Sequence, residues 1–147
     1  MEIAWVLLAS AAGICIALQA AANGSLRIHL GDTSYATFFS ICGTITTAVV
    51  FMLAAHPAPP SWAVLRAAPW WNWIGGPLGA LVVLAGAVLT PKIGAAAFVA
   101  AFVAGQLACS LLIDHCGAMN VPQQTLTLGR ISGAALVFTG VILVKYS

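Results

Sequence analysis

The chain has 147 residues, of which 62% are hydrophobic and 5% are charged, and its mean hydropathy is +1.05. Soluble domains carry about 25% charged residues, so this sequence lacks the polar side chains that would cover a folded surface in water. Its five basic and three acidic residues give a net charge of +2, which excludes the strongly basic surface of a nucleic-acid-binding protein. The composition predicts an integral membrane protein.

Five apolar runs are long enough to cross the hydrocarbon core of a bilayer, which takes about 20 helical residues. Breaker residues separate these runs, namely Asn23-Gly24, Gly31-Asp32, the proline-rich segment 56–60, Thr90-Pro91-Lys92 and the segment 114–124. No run shows the polar and apolar alternation of a membrane β-strand. We therefore predict an all-α integral membrane protein with a single domain over 1–147 and helices near 3–22, 35–55, 70–89, 94–113 and 128–144.

The distribution of lysine and arginine barely fixes the orientation of these spans. Five spans place the two termini on opposite sides of the membrane. The N-terminal side then holds Arg66 and Arg130, and the other side holds Arg27, Lys92 and Lys145. The positive-inside rule makes the richer side cytoplasmic. A difference of one residue is also typical of a chain that inserts in both orientations.

Tryptophans cluster at the predicted span ends, and four of the five lie between residues 62 and 73. Tryptophan prefers the headgroup level of a membrane because one end of its ring system is apolar and the other is polar. We interpret this cluster as a set of membrane anchors, with residues 56–69 forming a short interfacial excursion. The alternative is an aromatic cage that binds a substrate.

Small residues recur at a four-residue spacing in two of the predicted helices, as Gly75 with Gly79 and as Gly129 with Gly133. This spacing allows two helix backbones to approach closely, so these glycines are predicted to pack helices together. Pro77 lies within the first pair and removes a backbone hydrogen bond, which predicts a kink or hinge.

Polar residues form one stripe on each of two helices. Gln19, Asn23 and Arg27 share a face of the first helix, and the fourth carries Gln106, Ser110 and Asp114 at the same spacing. Polar side chains in hydrocarbon usually face a bundle interior or a cavity. One hypothesis is that a substrate cavity is lined by Gln19, Asn23, Gln106 and Ser110. The alternative is that they join helices by hydrogen bonds, which we favour for Ser110.

The charged residues at the ends of these stripes predict ion pairs near the membrane interface. Asp114 and Arg130 flank the same connection, so they can pair within one chain. Asp114 could instead face Arg27 of an antiparallel copy.

Several of these motifs occur together in one known family. They are the stretch 19–27 with Leu30-Gly31, the glycine-rich 75–80, Gly105-Gln106-Leu107, residues 113–117, and Arg130-Ile131-Ser132-Gly133 with Gly140-Val141. Over essentially its whole length the chain resembles the YdcZ-like inner-membrane exporters of the drug/metabolite transporter superfamily. Larger members of that superfamily have ten helices in two inverted halves. The resemblance implies that this chain is one half, completed by an antiparallel second copy or by a homologous five-helix partner.

We therefore expect a multi-pass protein of the bacterial inner membrane that moves a small solute by alternating access as an antiparallel dimer. No charged residue lies near the middle of a span, which favours a neutral, zwitterionic or weakly charged solute and gives no support to proton coupling. A small dual-topology ion channel is the alternative. An enzyme is not indicated, because the sequence has no HExxH, GxSxG or phosphate-loop motif. No cofactor or metal is expected, since Asp114-His115-Cys116 cannot converge on one ion.

Overall fold

The computed structural model describes residues 2–146, in which all regular secondary structure is helical and short irregular connections join the helices. Its α-helices are α1 (Glu2–Leu30), α2 (Thr33–Ala55), α3 (Trp62–Ala67), α4 (Gly75–Ile93), α5 (Ala95–Cys116) and α6 (Leu128–Tyr146). Short 3-10 turns lie at Trp70–Trp73 and Ala118–Asn120.

Five helical segments are long and apolar enough to cross a membrane: Ile3–Leu30, Thr33–Ala55, Trp70–Ile93, Ala95–Cys116 and Leu128–Tyr146. The predicted all-α class with five spans is confirmed. The chain divides into two compact units at Pro91, an N-terminal unit with α1, α2, α3 and most of α4, and a C-terminal unit with α5 and α6. The prediction of a single domain covers 1–147, of which Met1 and Ser147 lie outside the described residues, and it stays a prediction.

Helix α1 continues to Leu30, although the sequence predicts a break at Asn23-Gly24. Gly24 lies inside the helix and allows α1 to approach α4 closely. A Cβ atom placed on Gly24 would lie 3.1 Å from Cδ and 3.2 Å from Cγ of Pro91. Asn23 is buried beside it, with 6% of its surface exposed. The two residues therefore serve helix packing and do not form a turn.

A tight turn at Gly31 and Asp32 joins α1 to α2. Gly31 has a φ of +71°, which glycine adopts without strain, and its N–H donates to the carbonyl of Arg27 at 2.9 Å. The Asp32 carboxylate accepts a hydrogen bond from the N–H of Tyr35 at 3.0 Å and so caps α2. Arg27 Nε donates to Thr33 Oγ1 at 2.7 Å. These bonds set α1 and α2 as a helical hairpin.

The prolines of α4 act differently from the sequence prediction. The helix begins at Gly75, so Pro77 lies in the first turn, where a backbone N–H has no partner inside the helix in any case. Pro77 therefore does not interrupt the helix. Pro91 lies inside α4 near its C-terminal end, in a segment that the sequence predicts to be a separator.

The connection between α5 and α6 covers the C-terminal end of α5. Gly117 has a φ of +58°, and its N–H donates to the carbonyl of Asp114 at 3.3 Å. The N–H of Gln124 donates to the same carbonyl at 2.8 Å. At the start of α6, Thr127 Oγ1 accepts a hydrogen bond from the N–H of Arg130 at 3.3 Å. Both helix ends thus have partners for backbone groups that the helices leave free.

The contact at Gly24 predicts the effect of a larger side chain there. Gly24→Val would force α1 away from the rigid Pro91 ring, and we expect it to destabilise the protein by about 1–3 kcal/mol. Gly13→Val on the same helix is the matched control, because a Cβ there meets nothing within 4 Å. Thermal unfolding in detergent measures both variants, and equal shifts in Tm would contradict the proposed contact.

Candidate functional site

The N-terminal unit contains a groove between α1, α2 and α4, with a volume of about 540 Å³. We name it the α1–α4 groove. It is lined by Gln19, Ile41, Thr44, Ile45, Gly75, Gly76, Gly79, Ala80, Val82 and Val83. Gln19 and Thr44 are the polar side chains in this lining, and none of its residues is charged. Pockets that bind small molecules commonly combine apolar walls with a few polar groups in this way.

The three helices contribute different chemistry to the α1–α4 groove. Ile41, Thr44 and Ile45 share one face of α2 because they are three and four residues apart. The glycines of α4 create the free space, since a Cβ on Gly75 or Gly79 would meet nothing within 4 Å. Among the residues that the structure describes, Gly75 and Gly79 therefore widen the groove. Their predicted role in close helix packing stays a prediction.

Gln19 offers the freest polar group of the α1–α4 groove. Its side chain is exposed, and its carboxamide forms no hydrogen bond with another described residue. An amide both donates and accepts hydrogen bonds. Thr44 Oγ1 donates to the carbonyl of Ser40 at 3.2 Å, so its hydroxyl hydrogen is already used and it can only accept. The groove can therefore bind a mainly apolar molecule whose polar group forms hydrogen bonds with the Gln19 carboxamide.

The C-terminal unit contains a second groove of about 430 Å³ between α5 and α6, which we name the α5–α6 groove. It brings together five residues that the sequence singles out: Ser110, Asp114, Gly129, Arg130 and Gly133. Arg130 Nη1 lies 3.2 Å from Asp114 Oδ2, with 34% and 28% of the two side chains exposed. The cation and the carboxylate neutralise each other, so this groove carries little net charge.

Three of the predicted residues lie outside both grooves. Gln106 is exposed on α5, one turn before Ser110, and Asn23 is buried in α1. Arg27 has Thr33 as its hydrogen-bond partner, and no ion pair of Arg27 occurs among the described residues. Convergence of Gln19, Asn23, Gln106 and Ser110 on one cavity therefore stays a prediction.

Comparison of the sequence with models of known protein families identifies the family of this chain. The model of the family described as "Putative inner membrane exporter, YdcZ" matches residues 4–143. The chain belongs to the YdcZ family. The resemblance seen in its motifs is thus confirmed, and with its five apolar helices this YdcZ-family protein is a multi-pass protein of the inner membrane. Comparison with curated proteins and with solved structures finds no match.

Sequence reasoning missed Thr90 in this YdcZ-family protein. Its hydroxyl is buried without a hydrogen-bond partner among the described residues. It lies beside Pro91 at the close approach of α1, and its Cβ would be 3.4 Å from a Cβ on Gly24. In the sequence, Thr90-Pro91 indicates a helix end. Only the buried contact with Gly24 shows that Thr90 packs against α1.

The ion pair of this YdcZ-family protein predicts a coupling energy between two residues. Asp114→Asn and Arg130→Gln should each destabilise the α5–α6 hairpin, and the double variant should lose less than the sum. We expect a coupling of about 0.2–1 kcal/mol, because both side chains are partly exposed to solvent. Unfolding in mixed detergent micelles gives the free energies for the cycle.

Asp32→Asn combined with Arg130→Gln is the control for that cycle. Asp32 caps α2, where its carboxylate accepts a hydrogen bond from the N–H of Tyr35. Its effect should add to that of Arg130→Gln. If the unfolding free energies of Asp114→Asn and Arg130→Gln were also additive, an ion pair that stabilises the protein would be contradicted.

Proposed function

We propose that this YdcZ-family protein exports a small, uncharged solute by alternating access, as an antiparallel pair of five-helix chains. The proposal is carried by the exposed carboxamide of Gln19 in the uncharged α1–α4 groove. That groove suits a molecule with apolar parts and one hydrogen-bonding group. A permanent charge would find no opposite charge there and would lose its hydration.

The exposed polar and glycine faces of the helices support a pair of chains. Gln106 is exposed in the middle of α5, and an amide that faces hydrocarbon is costly to leave without a partner. A Cβ on Gly133 or Gly140 would meet nothing within 4 Å, so these positions leave space for another helix. The nearly balanced basic residues of the two sides fit a chain that inserts in both orientations.

In the proposed mechanism, the antiparallel arrangement of the two copies makes the two sides of the membrane equivalent. Two oppositely oriented copies would surround a site near the membrane midplane, and rocking of one copy against the other would open it to either side. Gln19 and Gln106 of both copies would supply hydrogen bonds to the solute. Ser110, one turn further along α5 than Gln106, would extend the lining, whereas Asn23 is buried in helix packing. A homologous five-helix protein could take the place of the second copy.

Variants at Gln19 and Gln106 test the proposed site. Cells that express the protein are grown with a panel of uncharged, amphipathic growth inhibitors that carry one amide or hydroxyl, and the most strongly exported compound is measured in proteoliposomes. Gln19→Leu and Gln106→Leu should each lower its flux about tenfold, since loss of a hydrogen bond of ~1.4 kcal/mol in the transition state changes a rate by that factor.

Ser10→Leu is the matched control for these variants. Ser10 is also an exposed polar residue of α1, but its hydroxyl donates to the carbonyl of Val6 at 2.9 Å and needs no solute. Its flux should equal that of the wild type. Unchanged flux in both glutamine variants, with normal expression and stability, would contradict the site.

The ion channel is distinguished by the kinetics of the same preparation. A carrier saturates with solute and shows counterflow, whereas a channel passes ions in electrical recordings. Ionic current without counterflow would contradict the transporter hypothesis and support a dual-topology channel.

A further inference from the structure

The segment between α2 and α4 contains a third groove, which is separate from the two described above. Its volume is about 450 Å³. It is lined by Trp62, Leu65, Arg66, Ala68, Trp70 and Trp73. We name it the Arg–Trp groove. It lies in α3 and in the 3-10 turn that opens the third span.

Arg66 gives this groove a positive charge that no acidic residue of its own segment compensates. No aspartate or glutamate occurs between residues 56 and 74, and Arg66 is the only lysine or arginine there. Among the residues whose side chains the structure describes, the ion pair joins Asp114 to Arg130, and Arg66 forms none. The guanidinium carbon lies 5.1 Å from the centroid of the Trp62 ring, and this cation–π contact holds the charge beside the groove.

The tryptophans place the Arg–Trp groove at the membrane surface. The segment follows the end of one membrane-crossing helix at Ala55 and includes the start of the next at Trp70. Trp62, Trp70 and Trp73 are 66%, 71% and 57% exposed. Large indole rings that are exposed at the end of a membrane span favour the headgroup level of the bilayer.

We propose that the Arg–Trp groove binds the phosphodiester of an anionic phospholipid. A planar guanidinium presents several N–H donors to phosphate oxygens, and the indole rings pack against the glycerol and upper acyl chain. Phosphatidylcholine carries its own cation next to the phosphate, so the single charge of Arg66 favours a lipid such as phosphatidylglycerol. The lipid supplied by the surrounding leaflet is the natural occupant of a groove at this depth.

Quenching of tryptophan fluorescence by brominated lipids tests this proposal. The full chain carries Trp5→Phe, so that the remaining four tryptophans all lie in residues 62–73. It is reconstituted in phosphatidylcholine bilayers with increasing amounts of brominated phosphatidylglycerol, and separately with brominated phosphatidylcholine. With Arg66 in place, the tryptophan fluorescence should be quenched more strongly by brominated phosphatidylglycerol than by brominated phosphatidylcholine. Arg66→Gln should lower that preference about fivefold, the effect of one basic residue at a membrane surface.

Two further variants separate a binding site from general attraction between charges. Lys145→Gln removes one exposed cation at the end of α6 and should leave the preference unchanged. Arg66→Lys keeps the charge but loses the planar guanidinium, so its preference should fall between those of the wild type and Arg66→Gln, which also shows that the segment still folds. Equal losses in Arg66→Gln and Lys145→Gln would overturn the proposal. Weak quenching by both lipids in the wild type would overturn it as well, since the groove would then be covered by protein.

Discussion

Hydrocarbon offers no hydrogen-bond partner to a peptide group, and this constraint governs the whole molecule. Within each span most backbone groups pair inside their own helix. At the ends, where helices leave carbonyl and N–H groups free, the chain supplies partners of its own: Gly31 and Asp32 between α1 and α2, and Gly117 and Thr127 around the α5–α6 connection. Most of the backbone is thus used in building the spans, and side chains on helix surfaces are left to recognise a solute or a partner.

Side-chain packing between such helices depends on small residues, because lipid tails are as apolar as leucine and give helices little hydrophobic reason to associate. Gly24 against Pro91 shows the packed case, with atoms so close that even a methyl group would be crowded. Gly79 and Gly133 show the open case, in which free space remains beside the helix. One open face widens the α1–α4 groove around Gln19, and the proposed antiparallel copy would cover the others. The same residue type therefore supports both cohesion within the chain and the proposed movement between chains.

The five spans could be predicted because their length and apolarity follow directly from the thickness of the bilayer. The helix ends were less predictable. Asn23-Gly24 reads as a turn in the sequence, yet glycine also serves close packing, and only the position of Pro91 distinguishes the two. Pro77 reads as a kink until the start of α4 is known. Asp114 and Arg130 could be matched because they flank one connection. The α1–α4 groove could not be predicted, since it needs the mutual orientation of faces on three helices, and Thr44 alone looks like a residue bonded to its own helix.

The antiparallel pair is tested most directly by the orientation of the chain in intact cells. Single cysteines at Ala58 and Ser34, in a background without the four native cysteines, report opposite ends of α2. A membrane-impermeant thiol reagent is added from outside. Insertion in both orientations predicts that about half of the molecules are labelled at each position. Complete labelling at one position and none at the other would contradict the pairing of identical chains and would require a separate, oppositely oriented partner.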